Sequence, residues 1–112
     1  MMEVAQLSVW DDLKQETRSV DVTREQVISA LEWYDDLYPG NDYTPYGKKK
    51  PWTENNTYRW AVWHDDRFYP PKVILGRIVG EDKKLWGGNL SRQANAVLRA
   101  LGFEVTPKPG IR

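Results

Sequence analysis

A lysine at the start of a predicted helix is the residue whose position most clearly suggests chemistry. Lys72 follows Pro70 and Pro71, and the apolar run 73–79 continues as a helix. A helix N-terminus is the positive end of its macrodipole, where a cation is unfavourable by about 0.3–1 kcal/mol. A phosphate shared between the lysine and the N–H groups of the helix start would offset this repulsion. Because the prolines remove two of those N–H groups, Lys72 is predicted as one phosphate contact among several.

Further cations lie near other predicted helix starts and turns. Lys83 and Lys84 precede the Gly87-Gly88 pair, whose backbone amides can approach a phosphate closely because glycine has no side chain. Arg92 lies in the first turn of the last predicted helix. Together with Arg67, Tyr69 and Lys72, these residues are predicted to form a surface that contacts a phosphate backbone. The alternative is that these are ordinary solvated side chains.

A second candidate site is the segment 39–56, whose prolines, glycines and polar residues predict a long loop. Aromatic rings and cations are interleaved in it, at Tyr43, Tyr46, Lys48, Lys49, Lys50 and Trp52. The rings could stack on bases or enter a groove while the lysines hold phosphates, and a flipped modified base requires an aromatic pocket. The alternative is that Trp52 and the tyrosines fix the loop to the core.

The sequence offers poor catalytic candidates. His64 is the single histidine, and the adjoining Asp65 and Asp66 are consecutive turn residues that do not converge on one metal ion. Cysteine is absent, so thiolate ligands, thiol nucleophiles and disulfides are excluded. No Walker or dinucleotide-binding glycine motif occurs. We therefore expect a protein that is not an enzyme and that has no metal or other cofactor.

The charge of the chain is zero overall but is divided between its halves. Residues 1–56 contain six Lys or Arg and eleven Asp or Glu, whereas residues 57–112 contain ten and five. The globally basic composition typical of nucleic-acid-binding domains is missing. The division permits a basic face on a polar molecule, and it equally permits neutralisation of one half by the other. The six Trp and six Tyr residues predict some rings at the surface, where they serve binding.

The N-terminus carries no sign of a targeting segment. Residues 1–6 lack the basic residues of a signal peptide, and Asp11 and Asp12 interrupt the first apolar run. We expect a soluble, cytoplasmic protein that does not enter a membrane.

The clearest predicted helix covers residues 23–38. Thr23 and Gln26 fit a capping box, and Val22 with Val27 fits the hydrophobic staple around it. Its apolar face consists of Val27, Ala30, Leu31, Tyr34, Leu37 and Tyr38.

The remaining elements alternate between strand and helix. Residues 57–63 predict a strand, and residues 64–67 a four-residue type I connection, because they lack glycine. A return strand from Phe68, a helix from Pro71 to about Gly80 and a last helix ending before Gly102 follow. The last helix directs Leu90, Ala94, Val97, Leu98 and Leu101 inward, and residues 103–105 predict a short strand.

These elements predict a single α+β domain in which a small antiparallel β-hairpin or sheet packs with about three α-helices. Residues 20–105 would form the domain and residues 1–19 an accessory N-terminal segment. Residues 106–112 have the proline-rich composition of a tail or linker.

An ordered set of motifs within residues 20–105 resembles a known family. The set consists of Val22-Thr23 with Val27, then Tyr69, Lys72 and Gly76, then Gly87-Gly88, and finally Val97-Leu98, Leu101-Gly102-Phe103 and Val105. It is similar to the N-terminal head domain of McrA-type (ScoMcrA-like) modification-dependent HNH endonucleases. The resemblance implies an α+β module that accompanies DNA-recognition and nuclease domains in restriction or anti-phage defence. It does not imply that this chain cuts DNA, because an HNH domain is not among its residues.

The resemblance and the candidate residues together predict a double-stranded DNA-binding module. Recognition of methylated or hydroxymethylated cytosine is the finer expectation, and the partners would be duplex DNA and a nuclease domain or other protein. The alternative is a protein-interaction module or inhibitor that uses an exposed Trp/Tyr surface, for a partner or for a homodimer. Salt distinguishes the two, because phosphate contacts weaken steeply with ionic strength and an interface of rings does not.

Overall fold

A computed structural model of the chain describes residues 4–11, 14–56, 58–79 and 90–109. For residues 9–11 and 90–92 it gives the backbone alone. The described residues form two small antiparallel sheets and three α-helices. In these ranges the elements are β1 (Val4–Asp11), β2 (Glu16–Thr23), α1 (Arg24–Leu37), β3 (Trp60–His64), β4 (Arg67–Tyr69), α2 (Pro71–Val79), α3 (Leu90–Ala100) and β5 (Glu104–Pro107). The sheets have the strand orders β1-β2 and β4-β3-β5. The predicted single α+β domain with three helices is confirmed.

The β1–β2 hairpin contributes to the core through alternate residues. Its strands pair over all eight residues of each. Leu7 and Val22 are fully buried, and Ala5 and Val20 pack against the same core, as the period of two in a strand requires. Most of the segment that the sequence assigns an accessory role is therefore a strand pair, and this pair supplies core side chains.

The first helix begins as the sequence predicts. The Oγ1 atom of Thr23 accepts a hydrogen bond from the Gln26 N–H at 3.1 Å, and Gln26 Oε1 accepts from the Thr23 N–H at 2.8 Å. This reciprocal pair is the predicted capping box. The buried face is formed by Val27, Ala30, Leu31 and Tyr34. The assignment of Leu37 to that face is wrong, because its side chain is 54% exposed at the last helical residue.

The turn between β3 and β4 is shorter than predicted. His64 pairs with Arg67, so only Asp65 and Asp66 lie between the strands. Their φ angles are 49° and 64°, which makes this a two-residue primed turn and not the predicted four-residue type I connection. Aspartate can replace glycine here because its short polar side chain tolerates the left-handed region better than most residues.

The end of α3 and the strand after it complete the second sheet. Gly102 has a φ of 89°, and the N–H groups of Gly102 and Phe103 donate to the carbonyls of Arg99 and Leu98, each at 3.0 Å. These bonds form a Schellman motif and confirm the predicted C′ glycine. β5 then continues to Pro107, two residues into the segment that the sequence assigns to a tail.

A single asparagine connects the long loop to two elements of the core. The Oδ1 atom of Asn41 accepts hydrogen bonds from the Tyr34 hydroxyl of α1 at 2.8 Å and from Trp52 Nε1 at 3.1 Å. Its Nδ2 atom donates to the Phe68 carbonyl of β4 at 2.8 Å. Asn41 has a φ of 56°, a conformation that asparagine adopts more readily than most residues. The loop is therefore fixed to both α1 and the β3–β4 hairpin.

Lys108 fixes the same loop from the C-terminal side. Its Nζ atom donates to the carbonyls of Trp52 at 2.7 Å and Asn55 at 2.8 Å, and it lies 5.7 Å from the centre of the Trp52 ring. The residue is only 3% exposed. Hydrogen bonds from a charged donor are stronger than neutral ones, so this contact ties the residue after β5 to the loop.

We expect Asn41→Ala to lower the free energy of unfolding by about 2–4 kcal/mol. The substitution leaves the buried Tyr34 hydroxyl and Trp52 indole N–H without their acceptor, and each unpaired buried group costs about 1–3 kcal/mol. Chemical denaturation followed by tryptophan fluorescence measures the change.

Asn41→Gly separates the side-chain bonds from the backbone conformation, because glycine accepts a positive φ without strain. It should be destabilising, but less so than Asn41→Ala. Asn56→Ala, at an exposed position, is the control and should change stability by less than about 0.5 kcal/mol. An Asn41→Ala protein as stable as this control would show that the network does not hold the loop.

Candidate nucleic-acid interface

The tip of the long loop is a tight turn that presents an aromatic ring. The Lys48 N–H donates to the Pro45 carbonyl at 3.0 Å, and Gly47 has a φ of 80°. Positive φ at the third turn residue is typical of a type II turn and favours glycine. Tyr46 occupies the second position of this turn, and its side chain is fully exposed.

Three consecutive exposed lysines begin at the last residue of this turn. Lys48, Lys49 and Lys50 line an open depression together with Glu54, Asn55 and Asn56. The depression is open and is lined by lysine, glutamate and asparagine residues, so it suits a hydrated anionic backbone better than a small apolar molecule. Tyr46 and the three lysines are the predicted contact residues that the structure brings together on one exposed segment, which we call the loop tip (residues 45–50).

Trp52 does not belong to this exposed set. Its side chain is fully buried, its indole N–H is bonded to Asn41, and its backbone N–H donates to the Tyr43 carbonyl at 2.7 Å. The ring also meets Phe68, with 5.6 Å between the centroids. The structure thus matches the alternative in which Trp52 fixes the loop to the core, because a ring buried there cannot stack on a base.

Lys72 lies where the sequence places it, in the first turn of α2. Its side chain is half-buried, and its ammonium group lies 5.5 Å from the centre of the Tyr58 ring. The N–H groups of Val73 and Ile74 both donate to the Pro70 carbonyl at 3.1 Å, and Pro71 has no N–H. Few backbone donors remain at this helix start, so the positive charge of Lys72 is its main attraction for an anion.

Arg67 and Tyr69 are engaged within the domain. The Nε atom of Arg67 lies 2.7 Å from Asp35 Oδ1, and its other nitrogens donate to the carbonyls of Tyr38 at 3.0 Å and Pro39 at 3.3 Å. The Tyr69 hydroxyl donates to Asp35 Oδ2 at 2.9 Å, and its ring is buried. These contacts favour a structural role, in which the β4 side chains hold α1, over contact with DNA.

The remaining predicted contacts lie outside what the structure describes. Lys83, Lys84 and the Gly87-Gly88 pair fall in the range 80–89, and the side chain of Arg92 is also not described. The assignment of these residues to a phosphate-contact surface stays a prediction.

Two depressions differ in their balance of charge, although Arg67 lines the more acidic one and Glu54 the more basic one. Glu32, Asp35 and Asp65 line a depression between α1 and the β3–β4 turn. The lysines of the loop tip line another. The lysines of the loop tip belong to residues 1–56, the half with the net negative charge, so this local cluster does not follow from the charge difference between the halves of the chain.

Most of the aromatic side chains are committed to the fold. Tyr34, Trp52 and Tyr69 are buried, and Trp33, Tyr38, Tyr43, Tyr58 and Trp60 pack against the core. Of the aromatic side chains that the structure describes, Tyr46 alone is largely exposed. This distribution disfavours the alternative of a partner surface built from many exposed rings.

Burial raises the pKa of two tyrosines that hold these elements together. The pKa of Tyr34 is raised to about 12 by desolvation. The pKa of Tyr69 is also raised to about 12, by desolvation and then by its hydrogen bond to the negatively charged Asp35. Both phenols therefore keep their protons, and their donor function, to a higher pH than an exposed tyrosine.

Sequence reasoning missed two residues next to the predicted contacts, Arg59 and Asn95. They line a small depression with Lys72, Tyr58, Trp60 and Pro71. Arg59 lies before a strand and Asn95 within a helix, and neither position forms a recognisable motif with Lys72 in the sequence. Only the packing of α3 against α2 and β3 brings them together.

Neither a metal site nor a membrane span is found in the described part of the chain. Its His, Asp and Glu side chains form no group of three or more that could hold a metal ion. None of its helices has the length and apolar character to cross a bilayer.

The fold defines the chain as a small α+β domain with an exposed loop tip that carries three lysines. The family model of the ScoMcrA-like N-terminal head domain matches residues 20–107, and the chain belongs to this family. Neither the curated proteins nor the solved structures compared with the chain include a significant match. The match to the family model confirms the resemblance inferred from the ordered motifs.

Raising the pH from about 10 to about 12 is expected to lower the free energy of unfolding. Tyr34 and Tyr69 stay protonated in the folded protein up to about 12, whereas an unfolded tyrosine ionises near 10. Their contribution is complete below about pH 10 and is lost as the pH approaches 12, at up to about 1.4 kcal/mol per pH unit for each group. Burial lowers the pKa of Lys108. Below about pH 10.5 its titration therefore makes the free energy of unfolding rise with pH, opposite to the effect of the tyrosines. The loss caused by the tyrosines is for this reason measured above about pH 10.5.

Denaturation at several pH values tests this expectation with matched variants. Tyr69→Phe should flatten the loss above about pH 10.5, because it removes one of the tyrosines whose pKa is raised, while Tyr34 and Tyr58 remain. Tyr46→Phe changes an exposed ring and should leave the profile as it is in the parent protein. Equal profiles for all three proteins would contradict the role given to Tyr69.

Proposed function

We propose that this protein binds double-stranded DNA as a non-catalytic module of a restriction-type system, and that the loop tip makes the main contact. The observation that carries the proposal is the exposure of Tyr46 beside Lys48, Lys49 and Lys50, on a turn whose base is fixed by Asn41 and Lys108. Because the base of the loop is already fixed, the backbone that carries the lysines loses less conformational entropy when they bind.

Membership of the ScoMcrA-like head-domain family supports this partner, since it suggests a DNA-associated role. Electrostatics support it as well. Phosphate contacts require a local concentration of cations and not a basic protein as a whole, and the loop tip supplies three lysines in succession.

The part of Tyr46 in this proposal is to contact the bases or sugars that the lysines bring close. A fully exposed ring on a tight turn can enter the minor groove or stack on an unpaired base. Discrimination of 5-methylcytosine or 5-hydroxymethylcytosine is the finer form of the proposal, and it requires such a base-directed contact, because phosphates carry no sequence information.

Replacing all three lysines of the loop tip by alanine is expected to weaken duplex binding strongly and to reduce its salt dependence. Each lost phosphate contact lowers the slope of log affinity against log salt by about 0.9. Three lysines therefore change the slope by up to about 3. A gel-shift or fluorescence-anisotropy titration of one duplex at several salt concentrations measures both effects.

Lys14→Ala is the matched control, because Lys14 is an exposed lysine in the turn of the β1–β2 hairpin. It removes one charge and should change the slope much less than the triple variant. A triple variant whose affinity and salt slope equal those of the parent protein would refute the proposed interface. Absence of binding to any duplex at concentrations of about 100 μM, beyond the usual non-specific range, would refute the function.

Tyr46→Ala is expected to weaken binding by about 1–3 kcal/mol, the value of one stacked base, while leaving the salt slope unchanged. Tyr46→Phe keeps the ring and should retain most of the affinity. The same titration with unmodified, methylated and hydroxymethylated duplexes shows whether Tyr46→Ala removes a preference among them. An alanine variant with the affinity and preferences of the parent protein would mean that the ring makes no base contact.

A further inference from the structure

Asn95 of α3 has a buried acceptor that none of the described residues pairs. The residue is 5% exposed, and its Oδ1 atom has no hydrogen-bond donor among the residues that the structure describes. Leaving a buried carbonyl oxygen unpaired costs about 1–3 kcal/mol, so such atoms are rare in native proteins. Within this domain the Asn41 side chain shows the usual arrangement, in which both oxygen and nitrogen are paired. Since the described residues supply no donor to this oxygen, a bound ligand can supply one.

The surroundings of Asn95 indicate which ligand carries that donor. Asn95 lines a small depression whose other walls include two cations, Lys72 in the first turn of α2 and Arg59 before β3. Tyr58 and Trp60 also line the depression. A suitable ligand thus combines a negative charge, an N–H or O–H donor close to it, and a flat apolar part that can contact a ring.

We propose that this depression binds one nucleotide, at a strand end or extruded from a duplex. The nucleotide's base or sugar would donate a hydrogen bond to Asn95 Oδ1, while its phosphate pairs with Lys72 and Arg59. The inference rests on the proposed nucleic-acid binding, but it concerns a second site, distinct from the loop tip. It gives Lys72 a role that the helix start alone cannot supply, since few backbone N–H groups remain there.

The size of the depression restricts how the nucleotide enters. The interior has room for about one water molecule, so an amino or hydroxyl group fits inside and the rest of the nucleotide stays at the mouth. The Asn95 oxygen is shielded from solvent, and a ligand reaches it only when a lining side chain moves. Lys72 has the long flexible side chain for this movement, and it exchanges its contact with the Tyr58 ring for the phosphate.

Binding of deoxycytidine monophosphate to the full chain, followed by calorimetry or by tryptophan fluorescence, tests the proposal. The nucleotide should bind more tightly than either deoxycytidine or inorganic phosphate, because only the nucleotide supplies both the donor and the charge. Asn95→Leu should weaken nucleotide binding at least tenfold. The same substitution should raise the melting temperature, because it removes the unpaired acceptor and keeps a similar volume.

Lys72→Met supplies a second variant that does not alter the buried position, and it should also weaken nucleotide binding at least tenfold. The triple alanine variant of the loop tip should bind the nucleotide like the parent protein while losing duplex binding. The two proposals can therefore fail separately. Equal affinity of the parent protein and both single variants for the nucleotide, equal affinity for inorganic phosphate and nucleotide, or no binding at millimolar nucleotide would each overturn this inference.

Discussion

The arrangement of the domain around its exposed loop depends on one oxygen atom, Asn41 Oδ1. It accepts the hydroxyl of Tyr34 from α1 and the indole N–H of Trp52 from the loop, while the Nδ2 atom of the same side chain donates to β4. A loop is normally the most mobile part of a domain. Here a buried network converts its base into part of the core. The tip can then present Tyr46 and its lysines from a defined position. The depression beside α1 that Glu32, Asp35 and Asp65 line shares no residue with the one that these lysines line.

Local signals in the sequence predicted the elements whose geometry is decided within a few residues. The capping box at Thr23 and the C′ glycine at Gly102 are confirmed, because each depends on hydrogen bonds between neighbours in the chain. The β3–β4 connection was predicted wrongly for an equally local reason. Absence of glycine argued against a primed turn, yet Asp65 and Asp66 adopt positive φ because the pairing of the two strands leaves only two residues between them.

The candidate site was less predictable, because its residues are sorted by contacts between distant parts of the chain. Tyr46 and Trp52 have similar surroundings in the sequence, but only Trp52 meets Asn41 and Lys108 and becomes buried. No pattern within the loop reveals that difference. Asn95 was missed for the same reason, since a lone asparagine in an amphipathic helix resembles a solvated residue until the packing of α2 and α3 is known.

The buried amine of Lys108 gives the domain a built-in chemical reporter. Burial lowers its pKa, so a larger fraction of it is the nucleophilic neutral amine than in an exposed lysine, yet acylating reagents cannot approach it while the loop carbonyls cover it. The lysines of the loop tip lack such cover. The rate at which Lys108 acquires a label, compared with that of the lysines of the loop tip, therefore records how often the base of the loop opens.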